Sequence, residues 1–280
     1  MENHFIVDEN IDESVFFLES NISSTKSDNK KPKIIFIVPY RDREQQLSFF
    51  NRHMKYIVED YNEKDIDIMI IHQDDNRSFN CGAMKNIGFL IVKEKYPDDY
   101  KNITLVFNDV DTLPFTKNFI NYNTQQGRIK HFYGFKHTLG GIVSINAGDF
   151  EILNGYPNFW SWGYEDNMFY DRAVNYRLII DRKQFYPFAD KNILHFYDGY
   201  LKQVNKKEFD RYVNFTNEGI KSINNLYYSY NENTNMYDVH TFETEFKEDI
   251  KAIKIHDLHN GTTPFQHIKS NRGARMSMKL

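Results

Sequence analysis

The chain has 280 residues, enough for one large domain with its own core or for two small ones. It is 40% hydrophobic and 26% charged, as globular proteins are, and a net charge of −4 argues against a general nucleic-acid binder. The single cysteine, Cys81, excludes a disulfide within the chain, and no apolar run reaches the roughly 18–20 residues of a membrane span.

Residues 1–32 carry seven acidic and three basic side chains and read as a mobile arm, with one short helix around Val15 to Leu18. With no basic-then-apolar stretch near Met1, the expected location is the cytosol. Residues 34–38, IIFIV, form a continuous apolar run ending at Pro39, the pattern of a strand buried on both faces. Leu47, Phe50, Met54, Ile57 and Val58 recur at helical spacing. A second buried strand follows at residues 66–71, a helix through Met84, Ile87, Gly88 and Ile91, and a third strand at residues 103–107. Residues 140–150 predict a strand with a turn, and Glu165–Asn175 a helix. Beyond about residue 259 there are four basic and no acidic side chains, a loose basic tail.

Strand, helix, strand, helix, strand predicts an α/β fold: a single domain with a Rossmann-like, mostly parallel sheet and right-handed crossovers, flanked by helices. Ligands of such sheets gather beyond the carboxyl ends of the strands. Asp109-Val110-Asp111 lies at such an end, and its paired carboxylates suit Mg²⁺ or Mn²⁺ and sugar hydroxyls. Asp65-Ile66-Asp67 has the same spacing but opens a strand, the wrong end for a ligand. Arg41 and Arg43 follow the first strand, where guanidinium groups can pair with phosphate and Pro39 can fix the turn. Trp160 and Trp162 stand beside Gly163 and the pair Glu165-Asp166; two aromatics can close over a sugar while a carboxylate takes a hydroxyl proton. Acidic residues there are also ordinary partners of a helix dipole. His195, after an apolar pair, taken alone reads more readily as structural than as a ligand.

In this order the segments resemble the beta-1,4-galactosyltransferase family. The motifs are Pro39-Tyr40-Arg41-Asp42-Arg43, Phe79-Asn80 with Asn86-Ile87-Gly88, Asp109-Val110-Asp111, Gly140-Gly141, Asn154-Gly155-Tyr156-Pro157, the Trp160–Asp166 block, and His195 followed by Phe209-Asp210-Arg211. The resemblance covers residues 33–258. It implies a GT-A fold, a UDP-sugar donor, a Mn²⁺ cofactor, a glycan or glycoconjugate acceptor, and transfer of galactose or N-acetylgalactosamine with inversion, forming a beta-1,4 linkage. It assigns Pro39, Tyr40, Arg41, Arg43, Phe79, Asp109, Val110, Gly141 and Trp162 to the donor. Asp111, His195 and Asn192 would hold the metal, and Asp166 would be the catalytic base beside Glu165.

Departures from the family pattern carry their own expectations. Asn192 stands where the family has a methionine ligand, and the harder amide oxygen predicts better service by Mg²⁺. Cys81 replaces an arginine. Asn167 and Met168 replace aspartates that help recognise the acceptor, so an N-acetylglucosamine acceptor is in question. Thr138 replaces a tyrosine, which leaves room for an N-acetyl group on the donor. The rival readings are an inactive module that binds nucleotide or glycan, and a nucleotidyltransferase, which would want a Gly-rich loop after the first strand.

Overall fold

The structure, a computed structural model, describes residues 31–213, 217–260 and 264–265. The helix expected near Val15 to Leu18 and most of the basic tail lie outside them. In chain order the strands and helices are β1 (Ile34–Tyr40), α1 (Glu44–Ile57), β2 (Ile66–Gln73), α2 (Cys81–Lys95), β3 (Thr104–Asn108), β4 (Thr112–Pro114), β5 (Arg128–Gly134), β6 (Ile142–Asn146), α3 (Ala147–Ile152) and α4 (Glu165–Asn175). They continue with β7 (Ile179–Asp181), β8 (Tyr186–Pro187), β9 (Ile193–His195), β10 (Leu201–Asn205), α5 (Lys206–Val213), β11 (Asn224–Asn231), β12 (Met236–Glu243) and β13 (Ile253–Asp257).

The main sheet has the order β11-β12-β2-β1-β3-β6-β5-β7, with β8 also paired to β5. Its centre, β12-β2-β1-β3, is parallel, and β6 runs antiparallel to both β3 and β5. This is the mostly parallel α/β sheet expected.

The period-2 geometry of a strand divides β1 between two cores. Ile35 and Ile37 join one cluster with α2, α3 and α4, while Ile34, Phe36, Val38 and Tyr40 join the other with α1. Both faces are therefore covered, which is why the run has no polar alternation. Helix α2 approaches the sheet closely at Gly88, where an added Cβ would stand 2.5 Å from Cγ2 of Ile37 and 3.1 Å from Cγ1 of Ile71.

Three details differ from the sequence expectation. Pro39 does not end β1: the strand runs on to Tyr40, with Pro39 opposite Ile71, and the turn comes at Asp42, whose φ is 50°. Residues 147–152 form helix α3, because Asn146 caps its start by accepting a hydrogen bond from the Gly148 N–H. Phe265 is buried and stacks on Phe209 at 4.6 Å, so the packed core reaches past residue 258.

Candidate active site

A cleft of about 840 Å³ opens beyond the carboxyl ends of β1, β2 and β3, a size that accommodates a nucleotide sugar. Its walls include Pro39, Arg41, Arg43, Phe79, Asp109, Val110, Asp111, Gly141, Trp162, Glu165, Asp166 and His195. Two of the expected residues are not among them. Tyr40 is buried in the core under α1, its ring 5.3 Å from that of His72. Strand alternation causes this, because Tyr40 points the opposite way from Pro39. Asn192 also lies off the cleft wall; its amide Nδ2 donates to Asp190 Oδ1 at 2.9 Å, and its carbonyl accepts from the Phe115 N–H. Asn192 thus sits in the turn before His195 with its amide nitrogen engaged.

Asp111 and His195 meet through the small β4–β9 ribbon, which pairs Thr112 with His195 and lets the Phe196 N–H bond the Asp111 carbonyl at 2.8 Å. The Asp111 carboxylate accepts from Thr112 Oγ1 at 3.0 Å and from Arg43 at 2.9 Å. Burial and the nearby Asp109 charge push Asp111 above the usual carboxylate range, while Arg43 and His195 pull it back. The other arm of the Arg43 guanidinium grips Asp198. His195 Nδ1 pairs with Tyr133 Oη at 3.0 Å, which fixes the ring and leaves Nε2 as the nitrogen for a cation. No three of the described His, Cys, Asp and Glu side chains enclose a metal site by themselves. The Asp111 carboxylate and the His195 imidazole fit two positions around a divalent cation whose remaining ligands would come from phosphate and water, while the Arg43 guanidinium, which has no lone pair, serves as a counter-charge to the carboxylate.

The acid pair occupies the first turn of α4. The approach to that helix is strained: Ser161, Gly163 and Tyr164 all have positive φ, at 92°, 102° and 78°. Such a conformation costs about 1–3 kcal/mol per non-glycine residue. It is held by hydrogen bonds from the Ser161 N–H to the Phe79 carbonyl at 3.3 Å and from the Trp162 N–H to the Gln203 carbonyl at 2.8 Å. Only Trp162 of the two tryptophans serves the cleft. Trp160 is a core residue, its indole N–H bonded to the Phe246 carbonyl at 2.9 Å and its ring covered by the Arg77 guanidinium at 4.6 Å. Glu165 is buried, its Oε2 has no partner among the described residues, and burial followed by the Asp166 charge pushes its pKa up to about 8. Burial also raises Asp166, against the pull of Lys85. Environment thus splits two adjacent carboxyls into one that holds its proton at neutral pH and one with a cation at its side.

Gly140 lies directly beneath Asp166; a Cβ there would fall 2.1 Å from Asp166 Oδ2. The backbone of the next residue supports the metal side, as the Asp109 N–H donates to the Gly141 carbonyl at 3.1 Å. Thr138, whose hydroxyl donates to the Phe135 carbonyl, is on the wall. Asn167 reaches toward the His137 carbonyl at 3.5 Å, and Met168 turns into the core with Phe159 and Phe209. Lys85, 2% exposed in the cleft floor, was not foreseen. The available signal was a lysine on the apolar, fully buried stretch of α2, one helical turn after Cys81.

Comparison with known proteins converges on the same assignment. Residues 10–124 match the family described as the N-terminal region of glycosyl transferase group 7, and residues 126–198 match that described as the N-terminal domain of galactosyltransferase. The chain is 33% identical to xylosylprotein 4-beta-galactosyltransferase of Caenorhabditis elegans over 54% of this chain and 53% of that protein. It is 28% identical to beta-1,4-galactosyltransferase 1 of Mus musculus over 64% and 46%. It spans about half the length of these curated relatives. Among solved structures, the catalytic domain of Drosophila beta-1,4-galactosyltransferase 7 with xylobiose superposes with a TM-score of 0.61 at 21% identity, covering 77% of this chain and 95% of that one. A mutant of that enzyme in complex with manganese, UDP-Gal and xylobiose superposes with a TM-score of 0.60 at 20% identity, covering 77% and 95%. The sheet is a GT-A sheet, the two matched regions together take up more than half of the chain, and the chain belongs to the beta-1,4-galactosyltransferase family.

Proposed function

We propose that the protein transfers galactose from UDP-galactose to a hydroxyl of a glycan acceptor, with Mn²⁺ as cofactor and inversion at the anomeric carbon, forming a beta-1,4 linkage. The observation that carries this reading is one cleft lined at once by a cation pair, Asp111 and His195, and by an acid pair, Glu165 and Asp166. A module that only bound nucleotide would have no use for the second pair. Manganese and UDP-galactose are the ligands bound by the solved relative.

Pro39, Arg41 and Phe79 line the entry for uridine and diphosphate. Asp111 and His195 would hold the metal, and Arg43, which bridges Asp111 and Asp198, stands beside them with a guanidinium suited to phosphate. Bound there, the metal supplies charge neutralisation for the departing diphosphate. The acceptor hydroxyl attacks the anomeric carbon from the face opposite the UDP oxygen. The new carbon–oxygen bond forms as the bond from that carbon to the UDP oxygen breaks, its electron pair leaves with UDP, and the hydroxyl proton passes to Asp166. Protonated Glu165 donates a hydrogen bond to the sugars. The second donor candidate is UDP-N-acetylgalactosamine, favoured by the small Thr138 side chain on the wall.

For the acceptor, the xylosides bound or used by relatives are the first choice. N-acetylglucosamine is the second, since Met168 gives the cleft no polar group. We also propose a reducing compartment such as the cytosol, supported by the lone cysteine. The test is incubation with Mn²⁺, each UDP-sugar, and either a β-xyloside or N-acetylglucosamine, with product read by mass spectrometry and anomeric configuration by NMR. Absence of product and of UDP release for all combinations would refute the proposal.

A further inference from the structure

Lys85 is a full cation inside the protein, and its surroundings say what it is for. Its ammonium lies 3.1 Å from Asp166 Oδ1, 4.0 Å from Asp109 Oδ1 and 4.4 Å from the centre of the Tyr156 ring. At 2% exposure the side chain cannot carry its charge out to water as surface lysines do. Burying an ion pair gives little or no net stability over an apolar residue of similar volume, and α2 presents apolar residues at nearly every neighbouring buried position. A stability role therefore does not explain the lysine. Its partner does, because Asp166 is the residue to which the transfer chemistry assigns the acceptor proton.

The geometry fixes that carboxylate from two sides and its backbone from a third. Lys85 binds Oδ1, the Gly140 backbone packs against Oδ2, and the Leu139 N–H bonds the Asp166 carbonyl at 3.0 Å. Tyr156 ties the lysine to the same helix: its ring stacks on Phe169 of α4 at 4.0 Å, and its hydroxyl donates to the Leu139 carbonyl at 3.1 Å. The other titratable groups facing the pair are Glu165, Asp109, Cys81 and Tyr156, and Lys85 is the one cation among them. We propose that Lys85 is a positioning residue of the transfer reaction: its ammonium, built into the cleft floor between Asp109 and Asp166, keeps the Asp166 carboxylate anionic and in the single orientation that accepts the hydroxyl proton. Burial works against the ammonium, but Asp166 and its neighbours outweigh it and hold the Lys85 pKa well above that of an ordinary lysine. The cation is therefore constant over the working pH range.

The inference rests on the galactosyltransferase reading, and the experiment separates the two. Lys85→Met keeps most of the length of the side chain and removes its charge; Lys85→Arg keeps the charge. For Lys85→Met the expected result is a kcat lowered about 10–100-fold at neutral pH, with KM for UDP-galactose changed less than about 3-fold. The acid limb of the kcat profile should move to higher pH, so that the deficit shrinks in alkali, and Lys85→Arg should recover part of the loss. A Lys85→Met enzyme equal to wild type, or slower by one constant factor at every pH, overturns the role of Lys85 and leaves the galactosyltransferase reading intact. Wild-type protein that transfers no sugar overturns both. If neither variant folds, the carboxyl-carbon NMR signal of Asp166 in wild type, assigned by its loss in Asp166→Asn, decides the matter. A carboxylate ionised through neutral pH supports the proposal; a proton retained there defeats it.

Discussion

Asp166 and Glu165 are neighbours in sequence with opposite assignments, and each yields a prediction at the level of one side chain. Asp166→Asn keeps the shape of the cleft and removes the proton acceptor. UDP-galactose binding, followed by thermal shift, should be preserved while transfer falls about 10²-fold or more; undiminished turnover would end the assignment. Glu165 works through stability. Its pKa is raised from 4.5 to about 8 in the folded protein, so the folded state binds more protons than the unfolded state between those values. The stabilisation is complete below about pH 4.5 and is lost as pH rises through about 8. Glu165→Gln should therefore flatten the decline in melting temperature across that window, and an unchanged slope would contradict the buried, protonated state. Gly140→Ala tests the same pair from below. The new methyl group must displace the Asp166 carboxylate, and we expect a loss of about 1–3 kcal/mol in urea denaturation together with at least tenfold lower kcat. Of these residues, Glu165 and Asp166 were legible because their family motif is dense and local. Lys85 was not, since a lysine in a helix reads as a solvated face until its surroundings are known.

Secondary elements were read well where one period dominated. The strands β1, β2 and β3 and the helix α1 lie where continuous apolar runs and helical recurrence put them. The short ribbon of β4 and β9 is different. It pairs segments about 80 residues apart in sequence, three residues on each side, and no local pattern announces it. Yet it is what sets Asp111 beside His195. The same ribbon sets Asn192 off the cleft wall: it lies just before β9, where its backbone bonds Phe115 and its amide nitrogen serves the turn at Asp190. Sequence spacing of three residues to a histidine specifies a ligand only if the backbone between them has the right form. At α2, Gly88 allows the helix to approach β1 and β2. Gly88→Ala should lower stability by about 1–3 kcal/mol, measured by thermal or urea unfolding, with little change in the metal requirement. A neutral substitution would mean that Ile37 and Ile71 yield without cost.

At the level of the molecule, the proposed reading has the cation held jointly by the chain and the substrate. Chelation with EDTA should abolish transfer, and added Mn²⁺ should restore it. Thermal stabilisation by UDP should require the metal, and this dependence should be lost in Asp111→Asn. Stabilisation by UDP to the same degree with and without metal would contradict a jointly held cation. By itself the sequence determined the fold class, the carboxyl-end position of the site and the identity of most of its polar groups, because buried strands, amphipathic helices and dense motifs are written in local periodicity and order. Tertiary structure alone decided which of those groups face one another. It turned Tyr40 and Trp160 into core residues, withdrew Asn192, and set Lys85 against Asp166. The physical reason is that the direction of a side chain depends on strand alternation and long-range pairing, and the ionisation of a carboxyl depends on charges brought within a few ångströms by residues far away in the chain.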